Sequence, residues 1–214
     1  EAALKAKEKN STVLRPIEGI WADDIEPSLK VGTIADLIRY RSETEQLIER
    51  VADKRIATPY GAFRLTVYHD TAMGEVHMAL SRGEIDPARP TLVRVHEPFT
   101  SLDLFDFDSK THAYSVHDSM RIVAQAGEGV IVLLRREEES SAMLARFRDA
   151  APTKQNRRWD PRIFGTGAQI LRDLNVGRMR VLAWPKKIPS MAGFGLEVVE
   201  YVSPEDSNKF LKAV

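Results

Sequence analysis

A change in the spacing of apolar residues constrains the fold of this chain more than any other feature. Apolar and polar residues alternate over residues 62–69 (AFRLTVYH) and again over 75–82 (EVHMALSR), with Gly74 in the connection between them. Such alternation predicts two strands that bury one face. A third strand is predicted at 90–95 (PTLVRV), after a loop that carries two prolines. We therefore expect an antiparallel β-meander in this part of the chain.

From Ser115 onward the pattern becomes that of alternating helices and strands. Ser115 is a predicted N-cap for a helix that Gly127 and Gly129 stop, and the apolar run 130–134 (VIVLL) predicts a buried strand. The further predicted elements are helices at 138–149 and 165–177, strands at 178–184 and 196–202, and a last helical turn at 204–213. The predicted fold class is α+β, an antiparallel β-meander followed by βα alternation.

The N-terminal part differs in character from the rest of the chain. Residues 1–30 show no sustained period and are interpreted as an arm or the remnant of an upstream domain. Residues 31–54 are interpreted as one amphipathic connecting helix, and 55–214 as the main domain. The prediction of this helix is based on a capping pair, Thr33 and Asp36, and on apolar residues at helical spacing. Those apolar residues are Ile34, Leu37, Ile38, Leu47, Ile48 and Val51.

Composition excludes several classes of function. The chain of 214 residues contains no cysteine, so disulfides, thiolate catalysis and cysteine-bound zinc are excluded. Its formal net charge is zero, and this gives no general attraction to nucleic acid or to an anionic membrane. Neither a membrane-spanning apolar run nor a signal-peptide pattern is visible, so we expect a cytoplasmic protein.

Several segments resemble GTP cyclohydrolase II. The segments are "RVH" after the meander, "GTGAQILRDLNV" after an Asp-x-Arg pair, and "GFGLEVVE" near the end. The segment "KVGTIADLIRYR" is similar to the junction that joins dihydroxybutanone phosphate synthase to this cyclohydrolase in bifunctional riboflavin-synthesis proteins. The resemblance covers roughly residues 31–204. It implies a cyclohydrolase-II-like fold, an attached or associated synthase domain and a homodimer.

The resemblance also implies a zinc ion, which activates the water that opens the guanine ring of GTP. In the family this zinc is held by cysteines in a pattern like C-x10-C-x-C. Without a gap from Val93 to Gly127, the three cysteine positions fall on Phe99, Lys110 and His112. Phenylalanine cannot coordinate and lysine carries a positive charge, so we expect the zinc of the family to be absent and no cofactor to be bound.

An alternative is a rebuilt metal site of histidines and aspartates. His112 is preceded by His96, Asp106 and Asp108 and followed by His117, and zinc accepts imidazole nitrogen and carboxylate oxygen. The competing interpretation is that these are ordinary polar residues of a loop and of a helix N-terminus.

Other parts of the family's site are also missing. The glycine-rich "EGRGIG" of the family aligns with "EEESSAM" at 137–143, where three glutamates would repel a phosphate. The catalytic tyrosine of the family falls near Ala150, and its "TNNP" motif becomes "AWP" at 183–185.

Some residues of the family's site are retained. Asp160 and Arg162 match the aspartate–arginine pair of the family, and they are our candidate vestigial catalytic residues. Arg94 matches the arginine of "RVH", and Lys186 and Lys187 lie near the family's basic position. These three are candidate nucleotide- or anion-binding residues. The alternative is structural: Asp160 and Arg162 would brace a helix, and Arg94 would be a charge on a strand face.

Three functional hypotheses follow. The first is a cyclohydrolase-like domain that has lost GTP hydrolysis and has a structural or regulatory role for an attached dihydroxybutanone phosphate synthase. The second is a hydrolase still active on GTP or a related nucleotide. The third is a sensor domain that binds a nucleotide or a flavin without chemistry. The joint loss of metal ligands, glycines and proton donor favours the first.

Overall fold

The structure is a computed structural model, and it describes residues 13–14, 31–32, 40, 44–105, 112–136, 140, 144, 161–185 and 191–206. The chain forms two compact units, Glu1–Glu45 and Gln46–Val214. In the first unit, strands β1 (Val13–Leu14) and β2 (Val31–Gly32) pair in parallel. Tyr40 and Thr44 are helical, and the Thr44 hydroxyl donates to the Tyr40 carbonyl at 2.7 Å.

A seven-stranded mixed sheet forms the centre of the second unit. Its strands are β3 (Ile48–Thr58), β4 (Gly61–Asp70), β5 (Val76–Arg82), β6 (Pro90–Phe99), β7 (Gly129–Arg135), β8 (Arg178–Leu182) and β9 (Glu197–Val202). The helices whose bounds fall within the described residues of this unit are α1 (Val116–Ala126), α2 (Pro161–Asp173) and the short 3-10 helices Ser101–Leu104 and Ala192–Phe194. The strand order is β3-β4-β5-β7-β6-β8-β9. The predicted α+β class is confirmed.

The meander exists, but it is built from different strands than the sequence indicated. β3, β4 and β5 pair antiparallel as consecutive neighbours. β6, predicted as the third meander strand, instead pairs in parallel with both β7 and β8. Its run 91–94 is buried throughout, which is typical of a central parallel strand covered on both faces.

The predicted connecting helix, residues 31–54, was wrong at its start, where Val31–Gly32 form β2, and over its last part. Residues 48–54, which we expected to be helical, belong to β3, and β3 is paired with β4 from Ile48 to Thr58 with one register shift between Arg50 and Ala52. Leu47 and Ile48 had fitted a helical spacing, but Leu47 lies just before the strand and Ile48 opens it. Apart from Tyr40, residues 33–43 lie outside the described part of the chain.

Helix α1 begins and ends where its sequence predicts. The Ser115 hydroxyl accepts from the Asp118 amide at 2.9 Å and donates to the Asp118 carboxylate at 2.8 Å, so two polar groups of the first turn are satisfied together. Gly127 closes the helix with φ of 83°, a backbone conformation that favours glycine.

Helix α2 begins earlier and ends earlier than predicted. It starts at Pro161 rather than Gly165, which agrees with the preference of proline for a first turn. It ends at Asp173, and Asn175 takes the left-handed conformation with φ of 63°. Gly177, the last residue of the predicted helix, lies beyond the end of α2. A glycine is needed there because a Cβ would lie 2.4 Å from the Pro87 carbonyl oxygen.

The core lies on both faces of the sheet, because successive side chains of a strand point to opposite sides. Val130 and Val132 of β7 pack with Ile170 and Leu171 of α2, whereas Ile131 of the same strand packs with residues of α1. Replacing a fully buried side chain such as Ile131 by alanine would cost about 2–5 kcal/mol of stability. The parallel strand β6 is held between these layers, and its C-terminal end carries the site described next.

Candidate functional site

Three side chains with metal-binding atoms converge where β6 ends. His96 is in β6, Asp103 is in the 3-10 helix that follows, and His112 lies shortly before α1. One ligand atom from each lies within 4.8 Å of the other two. Nε2 of His96 is 3.1 Å from Oδ1 of Asp103, and Nε2 of His112 is 3.9 Å from the same oxygen. We call these three residues the Asp103 cluster.

Thr100 fixes the orientation of the Asp103 carboxylate. Its backbone amide and its hydroxyl both donate to Oδ2 of Asp103 at 2.7 Å. Oδ1 is thereby left to face the two imidazoles. Burial alone would raise the pKa of Asp103, but the His96 ring and the two Thr100 donors favour the carboxylate and lower the pKa to about 2.

The His96 ring is enclosed but has unmet hydrogen-bonding capacity. Its side chain is only 1% exposed. Among the described residues, neither Nδ1 nor Nε2 makes a hydrogen bond, since the Asp103 oxygen lies near Nε2 but outside hydrogen-bond geometry. The His112 ring lies against it with a centroid separation of 4.0 Å. A buried polar atom without a partner is costly unless another species satisfies it.

The three-cysteine zinc set of the resembled family does not fit this chain. Phe99, at the first cysteine position, is 8% exposed and packs with Phe63, Val116 and Met120. A phenyl ring in an apolar core offers no donor atom to a metal. Lys110, at the second position, lies outside the described residues. His112, at the third, is the one position that offers a ligand atom.

Arg94 is buried inside the domain. Its Nη1 donates to the Leu182 carbonyl at 2.9 Å, which ties β6 to the end of β8. Burial lowers the pKa of Arg94 to about 10, while Tyr114 and Asp103 act in the opposite direction. Its Nε has no hydrogen-bond partner among the described residues. The structural alternative for Arg94 was a charge on a strand face, and the side chain is in fact buried and bonded to β8. Its anion-binding role stays a prediction.

The remaining retained residues do not form one described site. Arg162 is exposed in the first turn of α2. Asp160, Lys186 and Lys187 lie outside the described residues, so their predicted roles stay predictions. Because Asp160 is not described, the structure gives no arrangement of the candidate catalytic pair relative to Arg94.

Asp103 is the residue that sequence reasoning missed. It follows β6 in the stretch "SLDLFDFD", whose three aspartates have no spacing that distinguishes one of them. Of the residues considered for a rebuilt site, His117 is not in the cluster, because its Nε2 is 3.1 Å from the Leu104 carbonyl oxygen. Asp106 and Asp108 lie outside the described residues. A useful signal would have been the Thr100–Asp103 pair, which has the spacing of a capping turn.

A second buried histidine–carboxylate group lies elsewhere in the domain. Oδ1 of Asp70 accepts from the amides of Ala72 and Met73, each at 2.9 Å, and Oδ2 accepts from the Thr166 hydroxyl at 2.7 Å. Nε2 of His77 lies 3.8 Å from Oδ2. We call Asp70, His77 and Thr166 the Asp70 cluster; it joins the β4–β5 hairpin to α2.

An apolar cavity of about 210 Å³ lies between the sheet and α2. Its walls include Val95, Leu134, Ile163, Leu171, Met179 and Val181. Glu97 and Arg136 are at its edge, paired at 2.9 Å. Apolar walls with a few polar groups at the edge are features of small-molecule sites, whose usual volume of about 300–1,000 Å³ is larger than that of this cavity.

In the described part of the chain, no helix is long and apolar enough to cross a lipid bilayer.

Comparison with known proteins identifies clear relatives. The profile of the family described as GTP cyclohydrolase II matches residues 49–203. A 3,4-dihydroxy-2-butanone 4-phosphate synthase of Neisseria meningitidis serogroup B is 42% identical over 84% of this chain and 49% of its own length. Riboflavin biosynthesis protein RibBA of Aquifex aeolicus is 36% identical over 82% of this chain and 46% of its own.

A solved structure agrees with these sequence relatives. RibBX, described as a two-domain 3,4-dihydroxy-2-butanone 4-phosphate synthase from A. baumannii, aligns with a TM-score of 0.55 and 30% identity. The alignment covers 94% of this chain and 48% of RibBX. The chain thus spans about half the length of the relatives that it matches.

Proposed function

Because the chain belongs to the GTP cyclohydrolase II family, we propose that it is a family member without GTP ring-opening activity. Its role is structural or regulatory, for a dihydroxybutanone phosphate synthase to which it is attached in a riboflavin-biosynthesis protein. The proposal is based on the described fold and on which residues of the family's site are retained or replaced in this chain. It covers the domain rather than the activity of a longer protein.

The observation that carries the proposal is the burial of Phe99 in the apolar core where the family has a zinc-binding cysteine. The chain contains no cysteine that could take over this role. Zinc chemistry of this kind needs a cation that makes a bound water ionisable near neutral pH. A scaffold that fills a ligand position with a phenyl ring does not provide the three-thiolate set for that cation.

The names of the relatives support the synthase part of the proposal. The relatives from Neisseria meningitidis and Pseudomonas aeruginosa, 42% and 39% identical, have names that mention only the synthase. RibBX is likewise described as a two-domain synthase. Since this chain covers about half of each, the other half would hold the synthase activity.

The release of formate from GTP tests the loss of ring opening. The purified chain is incubated with GTP and excess Zn²⁺, and formate is measured over time. We expect no formate above the buffer background, whereas a cyclohydrolase II with three cysteines serves as the positive control. Turnover at an enzymatic rate, about 1 s⁻¹ or faster, would contradict the proposal and favour the second hypothesis, an active hydrolase.

The supporting role is tested in the full-length polypeptide. Ile122 is buried in α1, and Ile122→Ala should cost this domain about 2–5 kcal/mol of stability. If the domain supports the synthase, heat should inactivate synthase activity at a lower temperature in this variant. Gln125→Ala, at an exposed position of the same helix, is the matched control. Identical inactivation curves for the two variants would argue against a supporting role.

The cavity beside α2 favours a second candidate function, a sensor for a nucleotide or a flavin. Its apolar walls and its Glu97–Arg136 edge suit a ring with polar substituents. Thermal-shift measurements with GTP, FMN and ribulose phosphate test this candidate. A ligand at 100 times its dissociation constant stabilises a protein by about 2.7 kcal/mol, so the absence of any shift would count against it.

The proposal includes association as a homodimer and a cytoplasmic location. The dimer is supported by the family resemblance, and β3 offers a long edge strand with exposed Val51. Sedimentation velocity at several protein concentrations measures the mass in solution. A mass of one chain at every concentration would remove the dimer from the proposal. Fractionation of cells that produce the full-length protein tests the location.

A further inference from the structure

We propose that His96, Asp103 and His112 form a binding site for one divalent transition-metal cation of the Zn²⁺ type. The site uses a different ligand set from the three-cysteine set of the family, and only His112 is shared with those positions. The inference goes beyond the proposed function, because a domain without ring-opening activity can still bind a metal.

The separations in the Asp103 cluster are close to those of a tetrahedral zinc site. Zn–N and Zn–O bonds of about 2.0–2.2 Å place two ligand atoms on one zinc at about 3.3 Å from each other. The distance from His96 Nε2 to Asp103 Oδ1 is 3.1 Å, and the distance from His112 Nε2 to the same atom is 3.9 Å. A shift of His112 by several tenths of an ångström would bring the second distance to this value, and one ligand atom of each imidazole lies within 4.8 Å of the other.

The His96 ring supplies an independent indication of a ligand. It is 1% exposed and makes no hydrogen bond with either nitrogen among the described residues. A buried imidazole normally has a partner on at least one side. A cation placed between Nε2 of His96 and Oδ1 of Asp103 would satisfy both atoms and join β6 to the 3-10 helix.

Thr100 would act on the proposed metal through Asp103, because it orients the carboxylate of that ligand. Its amide and hydroxyl hold Oδ2 of Asp103, each at 2.7 Å, and direct Oδ1 toward the histidines. Such outer contacts orient a ligating carboxylate, and removing one typically weakens metal affinity 10- to 100-fold.

The ligand set selects the class of cation. Two imidazole nitrogens and one carboxylate oxygen suit Zn²⁺ and its neighbours in the first transition row, whereas Mg²⁺ and Ca²⁺ prefer sites made of oxygen atoms. Three protein ligands leave one tetrahedral position for a water molecule. Arg94, buried nearby, is influenced by the Asp103 charge, but its Nη1 is directed to the Leu182 carbonyl.

The test uses the whole chain freed of metal with a chelator and then titrated with Zn²⁺ by calorimetry. Co²⁺ is a spectroscopic probe, because tetrahedral Co²⁺ has strong visible absorption. We expect one equivalent of either metal to bind, a tetrahedral Co²⁺ spectrum, and a higher Tm with Zn²⁺ but not with Mg²⁺. Absence of Zn²⁺ binding, or a Tm that does not change, would overturn the proposal.

Variants locate the site on the three residues. Asp103→Asn keeps the shape of the side chain, and His112→Ala removes a ligand near the surface; each should weaken Zn²⁺ affinity at least about tenfold. Thr100→Val should weaken it about tenfold or more while leaving all three ligands in place. His69→Gln, a partly exposed histidine on β4, is the control and should bind Zn²⁺ as the unchanged chain does.

Circular dichroism of each metal-free variant shows whether it folds. If His112→Ala does not fold, the isosteric Asp103→Asn variant and the Thr100→Val variant still decide. Unchanged Zn²⁺ affinity in folded Asp103→Asn would overturn the proposal. So would an equal loss of affinity in His69→Gln, because binding would then be a property of histidines in general.

Discussion

Two buried histidine–aspartate groups of this domain differ in how completely their polar atoms are satisfied. In the Asp70 cluster, both carboxylate oxygens accept hydrogen bonds, and Nδ1 of His77 accepts from the Arg135 amide at 3.1 Å. In the Asp103 cluster, one carboxylate oxygen is held by Thr100, but neither nitrogen of His96 makes a hydrogen bond among the described residues. Both groups contain histidine and aspartate, so residue composition alone does not distinguish the satisfied group from the other.

The number of satisfied polar atoms distinguishes buried polar groups that only stabilise the fold from those that could bind a further species. A network in which the groups have internal partners holds elements together and needs no further species. A buried imidazole that lacks hydrogen-bond partners, next to a carboxylate and a second imidazole, has the chemistry to bind a further species. We therefore interpret the Asp70 cluster as a brace between the β4–β5 hairpin and α2. We interpret the Asp103 cluster as the proposed metal-binding site.

The largest expected effect is on the brace. Asp70→Asn replaces a carboxylate that accepts three short hydrogen bonds with an amide, one side of which is a donor. Hydrogen bonds to charged groups contribute about 1.5–3 kcal/mol each, so we expect a loss of about 3 kcal/mol from the free energy of unfolding. Urea denaturation measures it. A loss below about 0.5 kcal/mol would mean that the Asp70 cluster does not brace the fold.

The pH dependence of stability gives a second test of the brace. Burial alone would raise the pKa of Asp70, but His77, Thr166 and two backbone amides lower it from 3.8 to about 2. A lowered folded-state pKa stabilises the fold above the unfolded-state pKa, and this contribution is lost as the pH falls through the folded-state pKa. We expect about 2 kcal/mol to be lost between about pH 4 and pH 2.

The matched variant isolates this contribution. Asp70→Asn has no carboxylate at this position, so its unfolding free energy should fall less steeply between pH 4 and pH 2 than that of the unchanged chain. Parallel curves for the two proteins would contradict the assignment. Chelator in every sample keeps metal binding out of this comparison.

A pair of histidine variants compares the two clusters directly. His77→Leu removes the acceptor for the Arg135 amide, which should cost about 1–3 kcal/mol in metal-free protein. His96→Leu removes no hydrogen bond to any described residue and should cost less under the same conditions. With saturating Zn²⁺ the order should reverse, because only His96→Leu loses the metal. The same order with and without Zn²⁺ would contradict the distinction between brace and site.

The smallest expected effect concerns the helix that follows His112. Ser115→Ala removes the N-cap of α1 and should lower the free energy of unfolding by about 1 kcal/mol. Since the ligands are unchanged, Zn²⁺ binding should keep its stoichiometry of one. Thermal unfolding and calorimetry measure the two quantities. Loss of the bound metal in this variant would show that the site depends on the start of the helix rather than on its three ligands.

The sequence predicted the local elements well where a capping residue or a clear period marked them. Ser115 and Gly127 gave α1, and the alternation over 62–69 and 75–82 gave β4 and β5. It was wrong at Ile48, because a few apolar residues at helical spacing fit a helix and a strand edge equally well. It also assigned β6 to the meander, since a short apolar run does not reveal whether its neighbours are parallel.

The candidate site could be predicted only in part. The resemblance placed His112 at a ligand position, and the retained "RVH" drew attention to His96. Asp103 could not be selected among the aspartates of its loop, because the choice depends on the Thr100 contacts and on the path of the chain after β6. The order of strands in the sheet, which no local pattern encodes, sets that path.

The proposed function is that of a domain with the cyclohydrolase II fold and without the reaction on GTP. The most direct measurement is formate release from GTP by chain that has been saturated with Zn²⁺ and whose bound metal has been counted. We expect no formate above background at any metal content. Sustained formate release by the metal-loaded chain would contradict it, whereas a chain that binds no metal and releases no formate would remove only the proposed metal site.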